Sequence, residues 1–135
     1  MRTQVIRSRE NPNLELIAFH GHFATRHSHN SHYLDITRLK HEYSLAHDTA
    51  LALANHYIYE KSIDTIICMD GSEVIGAFLA RQLTQKILFS VNNNVSICVV
   101  TPEYDSNGQL LFRENTAPMI AGKHVLVLAA SVTTG

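Results

Sequence analysis

Hydrophobic residues follow two different patterns along this chain. Between positions 36 and 57 they recur every three or four residues, which predicts one long amphipathic helix with Asp35 or Thr37 as its cap. The run over 63–69 is short, apolar and rich in β-branched residues, as is typical of a parallel strand covered on both faces. The turn that follows this run is expected to begin a second helix over 73–86.

Three further apolar runs predict strands at 14–19, 95–100 and 125–128. Gly21 is expected to end the first of these strands, and Pro102 the second. Between the last two strands, the pair Asn107-Gly108 predicts a type I′ hairpin at the tip of a β-arm.

Strands that alternate with helices imply an α/β fold with a doubly wound, mostly parallel sheet and right-handed crossovers. The chain has no internal repeat or linker, so one domain is expected over residues 1–135. Ligands of such sheets bind at the carboxyl ends of the strands. We therefore expect a binding site to be built from residues 69–72, 101–115 and 129–135.

The 135 residues suffice for one domain with a buried core, and 45% hydrophobic with 17% charged residues is ordinary for a soluble protein. The formal net charge is −1, so basic residues are not in excess and no nucleic-acid partner is expected. No apolar run approaches the roughly 20 residues that span a bilayer, so no membrane partner is expected either. Cys68 and Cys98 lie in apolar runs and are interpreted as buried free thiols, which predicts a cytoplasmic protein.

Histidines are concentrated near the N-terminus, where five of the nine fall between His20 and His32. The spacing of His27, His29 and His32 is compatible with zinc ligands, but no cysteine or carboxylate accompanies them. We assign no metal ligand from the sequence, and interpret these histidines as the polar lining of a substrate pocket or as an exposed strand. Zinc binding remains the alternative.

Three stretches together resemble the type I phosphoribosyltransferases. GKHVLVLAASVTTG, at 122–135, resembles the family's motif for phosphoribosyl pyrophosphate (PRPP), which is a buried strand, two acidic residues, two small or apolar residues and Thr-Thr/Ala-Gly. DTIICMDGSEVIGAFLA resembles the family's strand, pyrophosphate loop and helix, and the matching residues are Gly76, Leu79 and Ala80.

The third stretch, GHFATRHSHNSHYLD at 21–35, resembles the N-terminal segment of orotate phosphoribosyltransferases. Gly21, Phe23, Ser31 and Tyr33 match that segment, and Arg26 stands where the family has a lysine. The β-arm lies where the family carries its mobile active-site loop. The similarity covers most of the chain from Gly21 onward.

The resemblance implies transfer of a phosphoribosyl group from PRPP to a nucleobase or related acceptor, with release of pyrophosphate and with Mg²⁺ as the cofactor. It implies an N-terminal substrate segment at 1–35, a core at 36–135 and a homodimer in nucleotide metabolism. Because the family's sheet continues past this last loop, we expect these residues to be incomplete at the C-terminus.

The resemblance also assigns binding residues by position, while it leaves the catalytic residues unknown. The pyrophosphate would face Met69, Asp70, Gly71 and Ser72. The substrate residues would be Arg26, His27 and Tyr33. The 5′-phosphate would be held by Ser131, Val132, Thr133, Thr134 and Gly135.

The acidic pair of the PRPP motif is replaced here by Ala129 and Ala130. Neither methyl group can accept the hydrogen bonds that carboxylates offer to ribose hydroxyls. The alternative function is therefore a non-catalytic binding module that senses PRPP or another phosphorylated ligand.

Overall fold

The computed structural model describes residues 2–24, 29–57, 62–90 and 96–131, and its first part is an antiparallel sheet. Its strands are β1 (Arg2–Arg7), β2 (Glu15–Ala24) and β3 (His29–Asp35), in the order β1-β2-β3. The hydrophobic pattern does not predict β1, because all six of its residues are exposed and β1 is a strand through its pairing with β2.

Helices and short strands alternate in the rest of the chain, as the sequence predicts. They are α1 (Thr37–His41), α2 (Tyr43–Ala54), a 3₁₀ turn (Asn55–Tyr57), β4 (Thr65–Cys68), α3 (Glu73–Ser90), β5 (Cys98–Val100), β6 (Glu103–Tyr104), β7 (Leu110–Leu111), a second 3₁₀ turn (Ala117–Met119) and β8 (Val125–Leu128).

Strands β5, β4 and β8 form a three-stranded parallel sheet in that order. This confirms a mixed α/β fold with a parallel sheet. Helix α3 connects β4 to β5, whereas the connection from β5 to β8 consists of the β6–β7 hairpin and a 3₁₀ turn. The hydroxyl of Thr65 donates to the carbonyl of Met119, which ties that turn to the central strand.

The buried core lies between α3, α2 and the parallel sheet. Ile66 on β4 and Leu79 on α3 have no exposed surface. The face of α2 that enters this core consists of Ala46, Ala50 and Ala54, whose small side chains let the two helices approach closely. Cys68 is buried as predicted, while Cys98 is only half-buried, and both are free thiols.

Gly76 sets the distance between α3 and β4. A Cβ atom at this position would clash with the Sγ atom of Cys68 on the strand beneath. The glycine of the Gly-x-x-Leu-Ala sequence is therefore required by helix–strand packing, because only a hydrogen fits between the helix backbone and the Cys68 sulfur.

The single helix predicted over 36–57 is wrong, because the chain breaks at Glu42, whose backbone is extended. The break separates α1, which contacts β2 and α3, from α2, which packs on α3. The predicted cap is wrong as well, because Ile36 is the N-cap of α1 and no side chain caps it. Asp35 precedes the helix and accepts hydrogen bonds from the hydroxyl and N–H of Thr37, at 2.6 and 2.9 Å. These two bonds hold the pKa of the Asp35 carboxyl below its usual value.

Gly21 does not end the first predicted strand, because β2 continues through it to Ala24. The register with β3 shifts between His20 and Phe23, so Gly21 lies in an irregularity of the ladder. The ring of Phe23 lies 3.3 Å from the place where a Cβ of Gly21 would be. Glycine here accommodates a bulge and does not terminate the strand.

The predicted β-arm is confirmed by the antiparallel pairing of β6 with β7. Its turn is not type I′, because Gly108 has a φ of 77° while Asn107 is not among the residues with positive φ. The loop is instead closed by Asp105, whose carboxylate accepts from the N–H groups of Asn107 and Gln109, both at 2.8 Å. An Asp side chain that bonds nearby backbone N–H groups is a common turn device.

Within the described ranges, no helix combines the length and apolar character that crossing a membrane requires.

We expect Gly76→Ala to lower the free energy of unfolding by about 1–2 kcal/mol, since overpacking a core costs about 1–3 kcal/mol and outweighs the gain in helix propensity. Urea denaturation followed by circular dichroism measures this change. The matched control is the same substitution in a Cys68→Ala background, where the strand side chain no longer reaches the new methyl group. There we expect Gly76→Ala to be neutral or stabilising. An equal cost in both backgrounds would contradict this packing account.

Candidate ligand site at the strand ends

The carboxyl ends of the three parallel strands lie at one edge of the sheet, as strand–helix alternation predicts. In the order β5-β4-β8, the chain runs from the central strand to one side and then crosses to the other. The strand order therefore reverses between β4 and β8, which makes the gap between their carboxyl ends a topological switch point. In open α/β sheets this is where ligands bind.

The loop after β4 is a tight turn with an uncommon backbone. Asp70 and Gly71 have φ values of 57° and 74°, and the N–H of Ser72 donates to the carbonyl of Met69 at 3.2 Å. Two consecutive positive φ angles are the condition for a type I′ turn, and Asp-Gly is one of the pairs that favours it. Within the described part of the chain, Asp70 is the one residue other than glycine with positive φ.

Hydrogen bonds fasten this turn to the end of β8. The Met69 N–H donates to the carbonyl of Leu128 at 2.9 Å, which extends the parallel pairing beyond the strands. The hydroxyl of Ser72 donates to the carbonyl of Met69 at 2.7 Å and lies 3.3 Å from that of Leu128. Ser72 is buried, so its hydroxyl links two loop carbonyls while its own carbonyl accepts the first bond of α3, from Gly76.

A lysine from α1 reaches the same turn. The Nζ atom of Lys40 donates to the carbonyl of Asp70 at 2.9 Å. An ammonium group has three N–H donors, so two remain for a ligand or for water. This contact places a positive charge at the switch point, beside the turn.

A cavity of about 180 Å³ lies between the turn, the end of β8 and the N-terminal sheet. Its polar lining residues are Tyr33, Thr37, Lys40, Asp70 and Ser131. Ala130 contributes a methyl group where the family resemblance leads one to expect an acid. The cavity is lined by Tyr33, Leu34, Ile36, Thr37, Lys40, Asp70, Ala130 and Ser131.

A second cavity, of about 250 Å³, lies on the other side of the same turn, toward β5. It contains two carboxylates, Asp70 and Glu73, and no lysine or arginine lines it. Its wall consists of Cys68, Met69, Asp70, Gly71, Glu73, Thr101, Pro102 and Tyr104. Asp70 lines both cavities, whereas Lys40 lines only the first and Glu73 only the second, and we call the second the acidic cavity.

Cys68 lines the acidic cavity but is a poor nucleophile. Burial, and next the negative charge of Glu73, raise the pKa of its thiol to about 11, against a smaller opposing effect of the Ser72 hydrogen bond. Since the thiolate is the reactive form, this thiol is inert at neutral pH.

The acidic cavity suits a hard divalent cation. Mg²⁺ is usually bound through one or two carboxylates together with water and substrate phosphates, and Asp70 with Glu73 provides such a pair. In the described ranges, no group of three or more His, Cys, Asp or Glu side chains is placed to hold one ion. Asp70 and Glu73 are the side chains that would contribute to a Mg²⁺ site completed by water and phosphate oxygens.

Of the residues assigned by resemblance, Tyr33, Asp70 and Ser131 line the first cavity together. Met69 and Gly71 line the second, and Ser72 is buried beneath the turn. The remaining assigned residues, Arg26, His27 and Val132 to Gly135, lie outside the described residues.

Sequence reasoning missed Lys40 and Thr37 as residues of this site. Lys40 is 30 positions from Asp70 and lies in a segment whose pattern indicates only an amphipathic helix. The available signal was topological, since the helical segment that precedes the first parallel strand can begin near that strand's carboxyl end. The hydrophobic pattern does not say which polar residue of the element does so.

In comparisons with known proteins, the chain matches no family model, no curated protein and no solved structure.

Ser72→Ala should lower the free energy of unfolding by about 1 kcal/mol, the usual net value of a buried hydrogen bond. It should also speed hydrogen exchange at Met69, since the turn loses a link to the end of β8. Thr84→Ala is the matched control, because the Thr84 hydroxyl bonds only the Ala80 carbonyl of its own helix. If both variants lose equal stability and exchange alike, Ser72 does not couple the two strand ends.

Cys68 should resist thiol reagents in the folded protein. In a Cys98→Ala variant at pH 8, a pKa of about 11 leaves roughly one thiolate in 1,000, against roughly one in 10 for the ordinary value of 9.0. We expect labelling with Ellman's reagent to be about 100-fold slower in the folded protein than in guanidinium, with burial slowing it further. Equal rates in the two conditions would contradict the assignment of Cys68 as an inert core thiol.

Proposed function

We propose that this chain is a cytoplasmic, orotate phosphoribosyltransferase-like protein that binds PRPP and transfers its phosphoribosyl group to a nucleobase or related acceptor. The proposal includes a doubly wound sheet of the type I phosphoribosyltransferase kind and a homodimer. Its main support is the first cavity, where the turn after β4 and the loop after β8 adjoin at the switch point, with Tyr33 beside them. These are the segments that the resemblance assigns to pyrophosphate, 5′-phosphate and substrate.

The charge distribution around the turn is compatible with a phosphorylated sugar. Lys40 has two free N–H donors for phosphate oxygens, and the hydroxyl of Ser131 lies along the same cavity wall. Val132 to Gly135 complete the proposed 5′-phosphate loop, and Arg26 and His27 are proposed to contact the acceptor or the pyrophosphate.

Mg²⁺ would be held by Asp70 and Glu73, and would neutralise charge on the departing pyrophosphate. These two carboxylates otherwise repel a polyanion. Their position beside the proposed pyrophosphate loop is the reason to expect that the protein binds the substrate as a magnesium complex.

The reaction needs positioning and charge stabilisation more than a covalent nucleophile. The bond from the anomeric carbon to the pyrophosphate oxygen breaks, and a nitrogen of the acceptor supplies the electron pair of the new bond. The protonated thiol of Cys68 takes no part. The protein's task is to hold the two reactants in line and to keep water from the developing positive charge on the sugar.

A non-catalytic binding module is the second candidate, and Ala130 in the cavity wall favours it. No carboxylate at 129 or 130 is available for the ribose hydroxyls, and each charge-assisted hydrogen bond of this kind contributes about 1.5–3 kcal/mol. A sensor could bind the phosphate groups alone and carry out no chemistry.

The two candidates are separated by turnover. Full-length protein is incubated with PRPP, Mg²⁺ and a panel of bases while pyrophosphate release is followed, and ribose-5-phosphate binding is measured by calorimetry. Release with one of the bases supports the enzyme. Binding without release supports the sensor, and absence of both overturns the proposal.

Lys40→Met should weaken ribose-5-phosphate binding by about tenfold or more, since it removes a charged donor worth about 1.5–3 kcal/mol. Lys123→Met is the matched control, because Lys123 is also a lysine but is exposed away from both cavities. Circular dichroism checks that both variants fold. If the two variants bind alike, the first cavity is not the phosphate site.

A further inference from the structure

Strands β2 and β3 bring four histidines into two cross-strand pairs. His20 lies opposite His32, and their rings meet edge to face with centroids 4.2 Å apart. In the other pair, the Nε2 atom of His22 lies 3.1 Å from the Nδ1 atom of His29. Both members of this second pair are exposed to solvent.

The bulge in β2 creates the second pair. The register shift between His20 and Phe23 moves His22 away from the position that regular pairing would give it, and its ring faces His29. The rings of Phe23 and Tyr33, 5.7 Å apart, pack across the same irregularity and help to hold the strands together there. The distance between the two imidazoles is therefore set by tertiary structure.

This distance suits two ligands of one metal ion. At a metal–nitrogen bond of about 2.0–2.1 Å, two ligand nitrogens lie about 2.9 Å apart for a right angle and about 3.3 Å apart for a tetrahedral angle. The observed 3.1 Å falls between these limits. We propose that His22 and His29 chelate a divalent transition metal such as Cu²⁺, Ni²⁺ or Zn²⁺, with water completing the coordination.

Without metal, one of the two rings donates its proton to the other. Both nitrogens need free lone pairs to bind a metal, so the donating ring must carry its proton on its other nitrogen instead.

The structure separates His29 from His32, which the sequence spacing suggests as joint zinc ligands. The Nδ1 atom of His32 bonds the hydroxyl of Ser31 at 2.7 Å, and its ring packs on His20. No third His, Cys, Asp or Glu within the described ranges joins His22 and His29. Two imidazoles favour copper over nickel and zinc, and do not suit Mg²⁺ or Ca²⁺, which prefer oxygen.

Calorimetric titration of the untagged, full-length protein with Cu²⁺, Ni²⁺, Zn²⁺ and Mg²⁺ tests the proposal. We expect one equivalent of Cu²⁺ to bind most tightly and Mg²⁺ not to bind at this site. His22→Ala and His29→Ala should each weaken Cu²⁺ binding by at least about tenfold, because a chelate becomes a single contact. The matched controls are His20→Ala and His32→Ala, which disrupt the neighbouring pair and should leave the affinity unchanged.

Nitrogen NMR of the wild-type protein gives a second measurement that does not depend on the variants. Zn²⁺ should shift the Nε2 resonance of His22 and the Nδ1 resonance of His29, and should leave the ring of His32 unaffected. Affinity unchanged in His22→Ala, or an equal loss in His20→Ala, would overturn the proposal. So would binding that His27→Ala abolishes while His22→Ala retains it.

Discussion

The close contact between α3 and β4 is the constraint on which the rest of the structure depends. Helix α3 lies on the central strand because Gly76 has no side chain to meet the sulfur of Cys68. This contact brings Leu79 against Ile66, the two largest fully buried hydrophobic side chains of the core. It also determines where α3 begins, and with it the position of the turn between β4 and the helix.

The turn at Asp70-Gly71, which follows β4, lines both cavities of the candidate site. Four residues, 69–72, connect β4 to α3, and the two central ones, Asp70 and Gly71, have positive φ. Hydrogen bonds from Ser72 and Lys40 hold this backbone, which lies between the two cavities. Lys40 lines the cavity on one side, Glu73 lines the cavity on the other, and Asp70 lines both, so the proposed phosphate and Mg²⁺ sites would adjoin at this turn.

The N-terminal sheet contributes to both candidate sites, through Tyr33 at one end and through the pair His22 and His29 at the other. Its third strand ends at α1, which places Tyr33 against the first cavity. The irregularity near Gly21 brings His22 and His29 together at the other end of the same two strands. A candidate phosphate site and a candidate metal site therefore share β3, which is exposed along most of its length.

Local pattern was enough for the elements whose contacts are local or repetitive. The apolar runs of β4 and β8 and the periodicity of α3 specify these elements over short distances. The pair Asn107-Gly108 indicates the β-arm but not its turn type, and strand–helix alternation predicts a candidate site at the strand ends. The sequence also supplied Asp70, Tyr33 and Ser131 as site residues, but through resemblance to a family and not through periodicity.

Tertiary structure alone decided which distant residues meet. Three features depend on contacts with other segments and cannot be read from a few neighbouring residues. They are the strand form of β1, the break at Glu42 and the continuation of β2 through Gly21. The contact of Lys40 with Asp70 spans 30 positions and requires the docking of α1 beside the parallel sheet. The sequence shows that histidines are abundant near the N-terminus. Only the strand register, shifted by the one-residue bulge in β2, brings His22 next to His29.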